Sequence, residues 1–247
     1  MNAKRESLLV LLSTTLTITV NALANILPFN GQTSAEVSNH YFTSFTPAGY
    51  AFAIWSVIYL GLLAFSIYQA LPSQLQRFQE LRTWVIVSNV CNALWLPLFH
   101  YEVFVVSILV IGSLLYSLQR INASLDRQAA TDLSTILMAR RTFGIYFGWV
   151  SIATIANVAV ALTAHQWDGF GLSHEHWAVV MLIVGLLVGL GVQSRIQSYA
   201  QYLLVFAWAY WAIHEGQSDL LVQQVAQLGA FVALGAIVVR FVRNQRP

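Results

Sequence analysis

Charge is what this 247-residue chain has least of: 9% of its residues are Asp, Glu, Lys or Arg, against 57% that are hydrophobic. So few polar side chains cannot cover a water-soluble globule of this size, which excludes a soluble fold and places the chain in a bilayer. Cysteine is nearly absent as well. Cys91 stands alone, so no internal disulfide can form. No Asp, Glu, Lys or Arg lies well inside an apolar run, which argues against an ion-coupled carrier, because such carriers keep ionisable groups at depth. The missing intramembrane lysine also excludes a retinal Schiff base. The six histidines form no HExxH or HxxxH box, and the chain carries no internal repeat or low-complexity tract.

What is there is a series of apolar stretches long enough to cross about 30 Å of hydrocarbon. They fall near 7–27, 48–70, 83–100, 103–119, 142–164, 176–193, 198–213 and 219–240. The fold class is therefore all-α, a polytopic membrane bundle of about eight transmembrane helices. The connecting segments support that count. With Lys4 and Arg5 inside, alternate loops and the C-terminal tail hold every other basic residue, from Arg77 and Arg82 to Arg240, Arg243 and Arg246. The opposite loops hold Glu36, Glu102, Asp168, Glu175, Glu215 and Asp219 and no basic residue. Short cytoplasmic loops collect Lys and Arg, so both termini are expected in the cytoplasm, in a bacterial cytoplasmic membrane. The net charge of +2 is then a signal of topology. No nucleic-acid partner is expected, since no basic groove with stacking aromatics exists outside the membrane.

The start of the chain also resembles a signal peptide, with Lys4-Arg5, an apolar run and the small residues Ala22 and Ala24. Against cleavage, Thr14, Thr17, Asn21 and Asn25 make a stripe at helical spacing, as expected of a retained first helix that packs. The connection from Pro28 to Phe45 is too long for a helix hairpin and is expected to act as a lid. The inner stretch from Asn122 to Ala139 reads as a short surface helix. Gly185 and Gly189, and more weakly Gly229 and Ala233, allow close helix approach. Packing within the chain is the better reading of them, although they leave room for a homodimer.

Three further helices carry polar and aromatic stripes: Phe52, Trp55 and Tyr59; Ser88, Asn92, Trp95 and Phe99; and Tyr146, Trp149, Ala153 and Asn157. At a rise of about 1.5 Å per residue, Asn21, Trp55, Asn92 and Asn157 each lie roughly 10–12 Å below the outer surface, with Tyr59 and Trp149 deeper. An unpartnered amide in hydrocarbon costs several kcal/mol, so three Asn at one depth should face one another, water or a ligand. The expectation is an outward-opening pocket with an Asn ring and an aromatic floor.

Pro47 with AIWSVIY (Ala53 to Tyr59), NALWLPLF (Asn92 to Phe99) and YFGWVSIATIAN (Tyr146 to Asn157) resemble, in order, motifs of the tryptophan-rich sensory protein family, also called translocator protein or peripheral benzodiazepine receptor. The resemblance covers roughly residues 7–165. It implies a five-helix ligand-binding core at 1–165, with three additional helices of unassigned role at 166–247. It also implies a pocket for porphyrins, sterol-like lipids and isoquinoline-type drugs, with Trp55 and Trp149 as pocket tryptophans, Asn92 as a polar contact and Ala153 as a small residue at a close approach. Gly49 stands where the family has an aromatic residue, six positions before Trp55. Residues 157–163 lack the Tyr and basic residue of a cholesterol-recognition pattern.

The candidate ligand-binding residues are thus Asn21, Trp55, Tyr59, Asn92, Trp95, Tyr146, Trp149, Ala153 and Asn157, with no catalytic or metal residues assigned. The reading is a membrane receptor or sensor for a flat hydrophobic ligand such as a porphyrin or haem, in contact with membrane lipid. The alternatives are a passive transporter of a lipophilic molecule and a weak porphyrin-degrading enzyme.

Overall fold

A computed structural model describes residues 3–128 and 132–245; Arg246 and part of the Asn122–Ala139 stretch fall outside them. Among the described residues there are helices and turns and no strands. The long helices are α1 (Ala3–Ile26), α3 (Ile54–Tyr68, preceded by a tight turn at Gly49–Ala53), α4 (Gln79–His100), α5 (Phe104–Arg127), α6 (Leu133–Ala164), α7 (His174–Gln193), α8 (Tyr199–Gly216) and α9 (Leu220–Asn244). A short α2 (Ser34–His40) lies in the connection between α1 and α3. Eight long helices therefore occupy the expected positions, and the chain is a multi-pass membrane protein.

Six of the eight are long and apolar enough to cross a membrane. The two that fall short, α4 and α8, are flanked by other helices. α4 packs between α1 and α5, and α8 between α6 and α9. In such positions polar side chains meet partners from neighbouring helices instead of lipid. α5 packs on α6, and α7 covers α9 and α8, so the last three helices join the rest mainly through the α6–α8 contact, with α8 also against the Gly49–Ala53 turn. Close approach there requires glycine: a Cβ on Gly148 would lie 2.8 Å from the Tyr202 carbonyl oxygen. Likewise a Cβ on Gly189 would strike the Phe206 ring, and one on Gly229 the Tyr210 ring. The small residues of α7 and α9 thus serve packing within the chain.

Two expected loops prove to be more ordered. The inner stretch is no separate surface helix. Asn122 to Arg127 continues α5, and Leu133 onward opens α6 through a π-helical turn at Ile136–Arg141. Asp132 caps that start by accepting from Thr135 N at 2.7 Å, and pairs with Arg77 at 2.7 Å. The long outer connection holds α2, whose capping box joins Thr33 and Glu36. It is docked on the α4–α5 turn. Asn30 donates to the His100 carbonyl, Gln32 and Tyr41 donate to the two Glu102 carboxylate oxygens, and Ser34 bonds the His100 ring. On its far side the connection meets the α8–α9 turn. Gln217 donates to the carbonyls of Thr43 and Thr46, and Ala48 N donates to the Ala212 carbonyl at 2.8 Å.

At the other end of the bundle, Arg82 is fully buried and donates to Gln69 Oε1 at 2.8 Å and to the Ala3 carbonyl. It sits inside α4 near the helix start, not in the inner loop where the sequence places it. Each donated bond offsets part of the cost of taking a guanidinium out of water.

Candidate functional site

The polar stripe of α1 faces inward. Asn21 anchors its amide on its own helix through the Thr17 carbonyl at 2.9 Å and on α4 through Asn92 Oδ1 at 3.0 Å. Tyr59 of α3 donates to Asn21 Oδ1, and Asn92 Nδ2 reaches Tyr146 Oη of α6 at 2.7 Å. Four helices are thereby tied at one level by Asn21, Tyr59, Asn92 and Tyr146. Tyr59 belongs to this ring and is not a deeper floor. Below it, Asn89 donates to Ser13 Oγ and Thr14 Oγ1, and Thr14 shares a bond with Ser66 at 2.7 Å. This second polar layer escaped sequence reasoning because Asn89 lies beside, not on, the Ser88–Asn92–Trp95 stripe.

Asn157 does not join the ring. Eleven residues beyond Tyr146 on α6, it accepts from Trp95 Nε1 at 2.7 Å and exchanges bonds with Ser107 of α5. The three Asn thus do not meet as one ring: Asn157 turns to α5 and the side of α4 that carries Trp95.

Trp55 stands between these two clusters. Its ring stacks on Tyr59 at 5.6 Å and 13°, and lies 5.9 Å from Trp95, 6.1 Å from Tyr146 and 6.2 Å from Trp149. Two cavities flank it. The larger, about 480 Å³, is lined by Asn21, Asn25, Ser56 and Tyr59 and roofed by Thr33, Ser34 and Ala35 around the start of α2. The smaller, about 40 Å³, is lined by Trp95, Phe99, Trp149, Ala153 and Asn157, with Ser38 of α2 and Pro47 above. Phe52 and Trp55 border both. Seven of the nine candidate residues therefore line a cavity. Asn92 and Tyr146 line neither; both are fully buried behind Asn21 and Tyr59 and hold them in place. This roof belongs to the Pro28–Phe45 connection expected as a lid, and the T-x-x-E capping signature that starts α2 at Thr33–Glu36 is readable in sequence.

The chemistry on offer is aromatic surface plus a few amide and hydroxyl groups. One donor is left over: Trp149 is 3% exposed and its Nε1–H has no acceptor among the described residues. In the acidic outer connection, the Thr33 N–H and hydroxyl hold the Glu36 carboxyl below its usual range, and the bond to Glu102 pushes the Tyr41 phenol up. Among the described residues no group of three His, Cys, Asp or Glu lies together as a metal ion would need.

A family model described as TSPO-like protein matches residues 7–239. The match is not confined to the first five long helices; it takes in α7, α8 and most of α9 as well. No curated protein and no solved structure matches the chain.

Proposed function

Since the chain belongs to the TSPO-like protein family, we propose that it is a membrane receptor or sensor that binds a flat hydrophobic molecule, of the size and kind of a porphyrin or haem-like tetrapyrrole, in the cavities on either side of Trp55. The observation that carries this reading is the paired arrangement itself. A space of about 480 Å³ falls within the range of roughly 300–1,000 Å³ typical of small-molecule sites, and its aromatic wall continues past Trp55 into a second apolar space. A ligand ring would replace or continue the Trp55–Tyr59 stack, gaining about 0.5–1.5 kcal/mol per well-placed ring contact beyond burial. An acceptor on its edge would meet the orphaned Trp149 N–H, which otherwise costs on the order of 1–3 kcal/mol. The cavities carry no cation, so acidic propionates would point outward to the connection around α2.

Titration of the purified protein with protoporphyrin, haem and a sterol, followed by tryptophan quenching, tests the reading. Saturable quenching by the tetrapyrroles is expected, with about tenfold weaker binding in Trp55→Leu and Trp149→Leu, equivalent to about 1.4 kcal/mol. Equal affinity of these variants and the unaltered chain would remove the cavities from the account.

A further inference from the structure

We infer that the outer face holds a second, separate binding site, for an amphipathic molecule with an ammonium head and a small apolar body. The site is a bowl of about 180 Å³ between the end of α6, the start of α7 and the Thr43–Phe45 segment. Its floor is buried and largely apolar, with Phe45 2% and Ala178 4% exposed, and Met181 beside them. Its mouth carries the carboxylate of Asp168 and the indoles of Trp167 and Trp177, whose ring centroids are 5.1 Å apart. The depth of the bowl is apolar and its rim is anionic and aromatic. That order suits a ligand whose hydrocarbon end points in and whose positive end stays at the surface.

Three observations select a cation. Carboxylate and indole both attract an ammonium group, the indole through its ring quadrupole. The outer connections as a whole hold six acidic residues and no Lys or Arg, so with their histidines neutral, His174 at the bowl among them, their field gathers cations and repels anions. The helix ends at the bowl do not reverse this. α7 begins there, but Ser173 already accepts from His176 N and Glu175 occupies its first turn, while α6 presents its carbonyl end. Ser44, 8% exposed, adds a hydroxyl to the lining of the bowl.

The bowl is built, not accidental. Asp168 accepts from Phe170 N at 3.0 Å, and Trp177 Nε1 donates to the Gly169 carbonyl at 2.7 Å. These bonds fold the Gly169–Gly171 turn, with Gly169 at φ 66°, so that carboxylate and indoles share one rim. Gln217 fixes the opposite rim through the Thr43 and Thr46 carbonyls.

The test uses the full chain in maltoside micelles, titrated with protonated 2-phenylethylamine and, separately, with the neutral 2-phenylethanol, by calorimetry. The amine is expected to bind at least tenfold more tightly. Asp168→Asn keeps an acceptor for Phe170 N, so the turn survives, and the preference for the amine should disappear. Trp167→Leu should weaken the amine several-fold, and Trp55→Leu should leave it unchanged. Repeating the titration with added phosphatidylethanolamine identifies the source of the ammonium group: weakened amine binding means that a lipid head occupies the bowl, and unchanged binding means a free amine. Equal affinity for amine and alcohol, full affinity in folded Asp168→Asn, or loss of binding in Trp55→Leu would each overturn the inference.

Discussion

Trp55 and Asn92 lie on helices consecutive in the chain, α3 and α4, yet their substitution should have opposite signatures. Trp55 borders both cavities, so its loss should appear in ligand affinity. Asn92 lines neither and bonds Asn21 and Tyr146. Asn92→Leu removes the donor to the fully buried Tyr146 hydroxyl, at about 1–3 kcal/mol, while the Asn21 amide keeps the Thr17 carbonyl. The expected outcome is a lower melting temperature, with a smaller change in affinity, measured well below the melting point, than in Trp55→Leu. A larger affinity loss in Asn92→Leu would make it a direct contact after all. The residue types of the site were legible in the sequence because an amide or indole at depth in hydrocarbon demands an explanation. Their partners were not, since periodicity places a residue on a face without saying which neighbour it meets. Asn157, expected with Asn21 and Asn92, bonds Trp95 and Ser107 instead for that reason.

Helix positions were legible because apolar length is a direct measure of the bilayer, and the polar content of α4 and α8 follows from their packing between other helices. The helix starts were harder to read. The π-helical turn at Ile136–Arg141 has no distinct sequence signal, and the Asn122–Ala139 stretch looked amphipathic because it joins the ends of two packed helices. Asp132 gives the start of α6 a pH signature. The Thr135 N–H first, and then Arg77, depress its carboxyl to about 2. A carboxyl held below its usual value stabilises the fold at pH above that usual value, about 3.9, and the contribution is lost as pH falls through about 2. Asp132→Asn should therefore melt lower than the unaltered chain at pH 6, and the gap should shrink steadily between pH 4 and pH 2. A gap independent of pH would show that the carboxylate charge does not matter there.

For the whole molecule, the one-sided placement of basic residues leads to an expected topology with both termini cytoplasmic. Reporter fusions after Asn30, Gln79, Gln166 and Gln245 should read outside, inside, outside and inside; a periplasmic C-terminus would refute it. The contacts of the basic side chains accord with this. Arg82 meets the first turn of α1, Arg140 meets the end of α5, and Arg240 bonds Gln193 at the end of α7, so residues far apart in the chain gather at one end of the bundle. What composition could not reveal is how the last three helices engage the rest, because that engagement runs through backbone carbonyls and glycines whose partners leave no periodic trace.

The clasp of Gln217 on the Thr46 carbonyl spans 171 residues of chain. During synthesis at about 5–20 residues per second, Thr46 leaves the ribosome roughly 9–34 s before Gln217 does. For that interval the first helices stand in the bilayer without the contact that fixes the far side of the connection above Trp55. The helical walls of both cavities are complete only once Val160 has been made, 57 residues before Gln217, so for about 3–11 s at that rate they stand formed on their helical sides and still unfastened above. On the proposed function, a flat hydrophobic molecule in the membrane has its easiest access then, and the ligand retained would be set by what is there while the chain is being made.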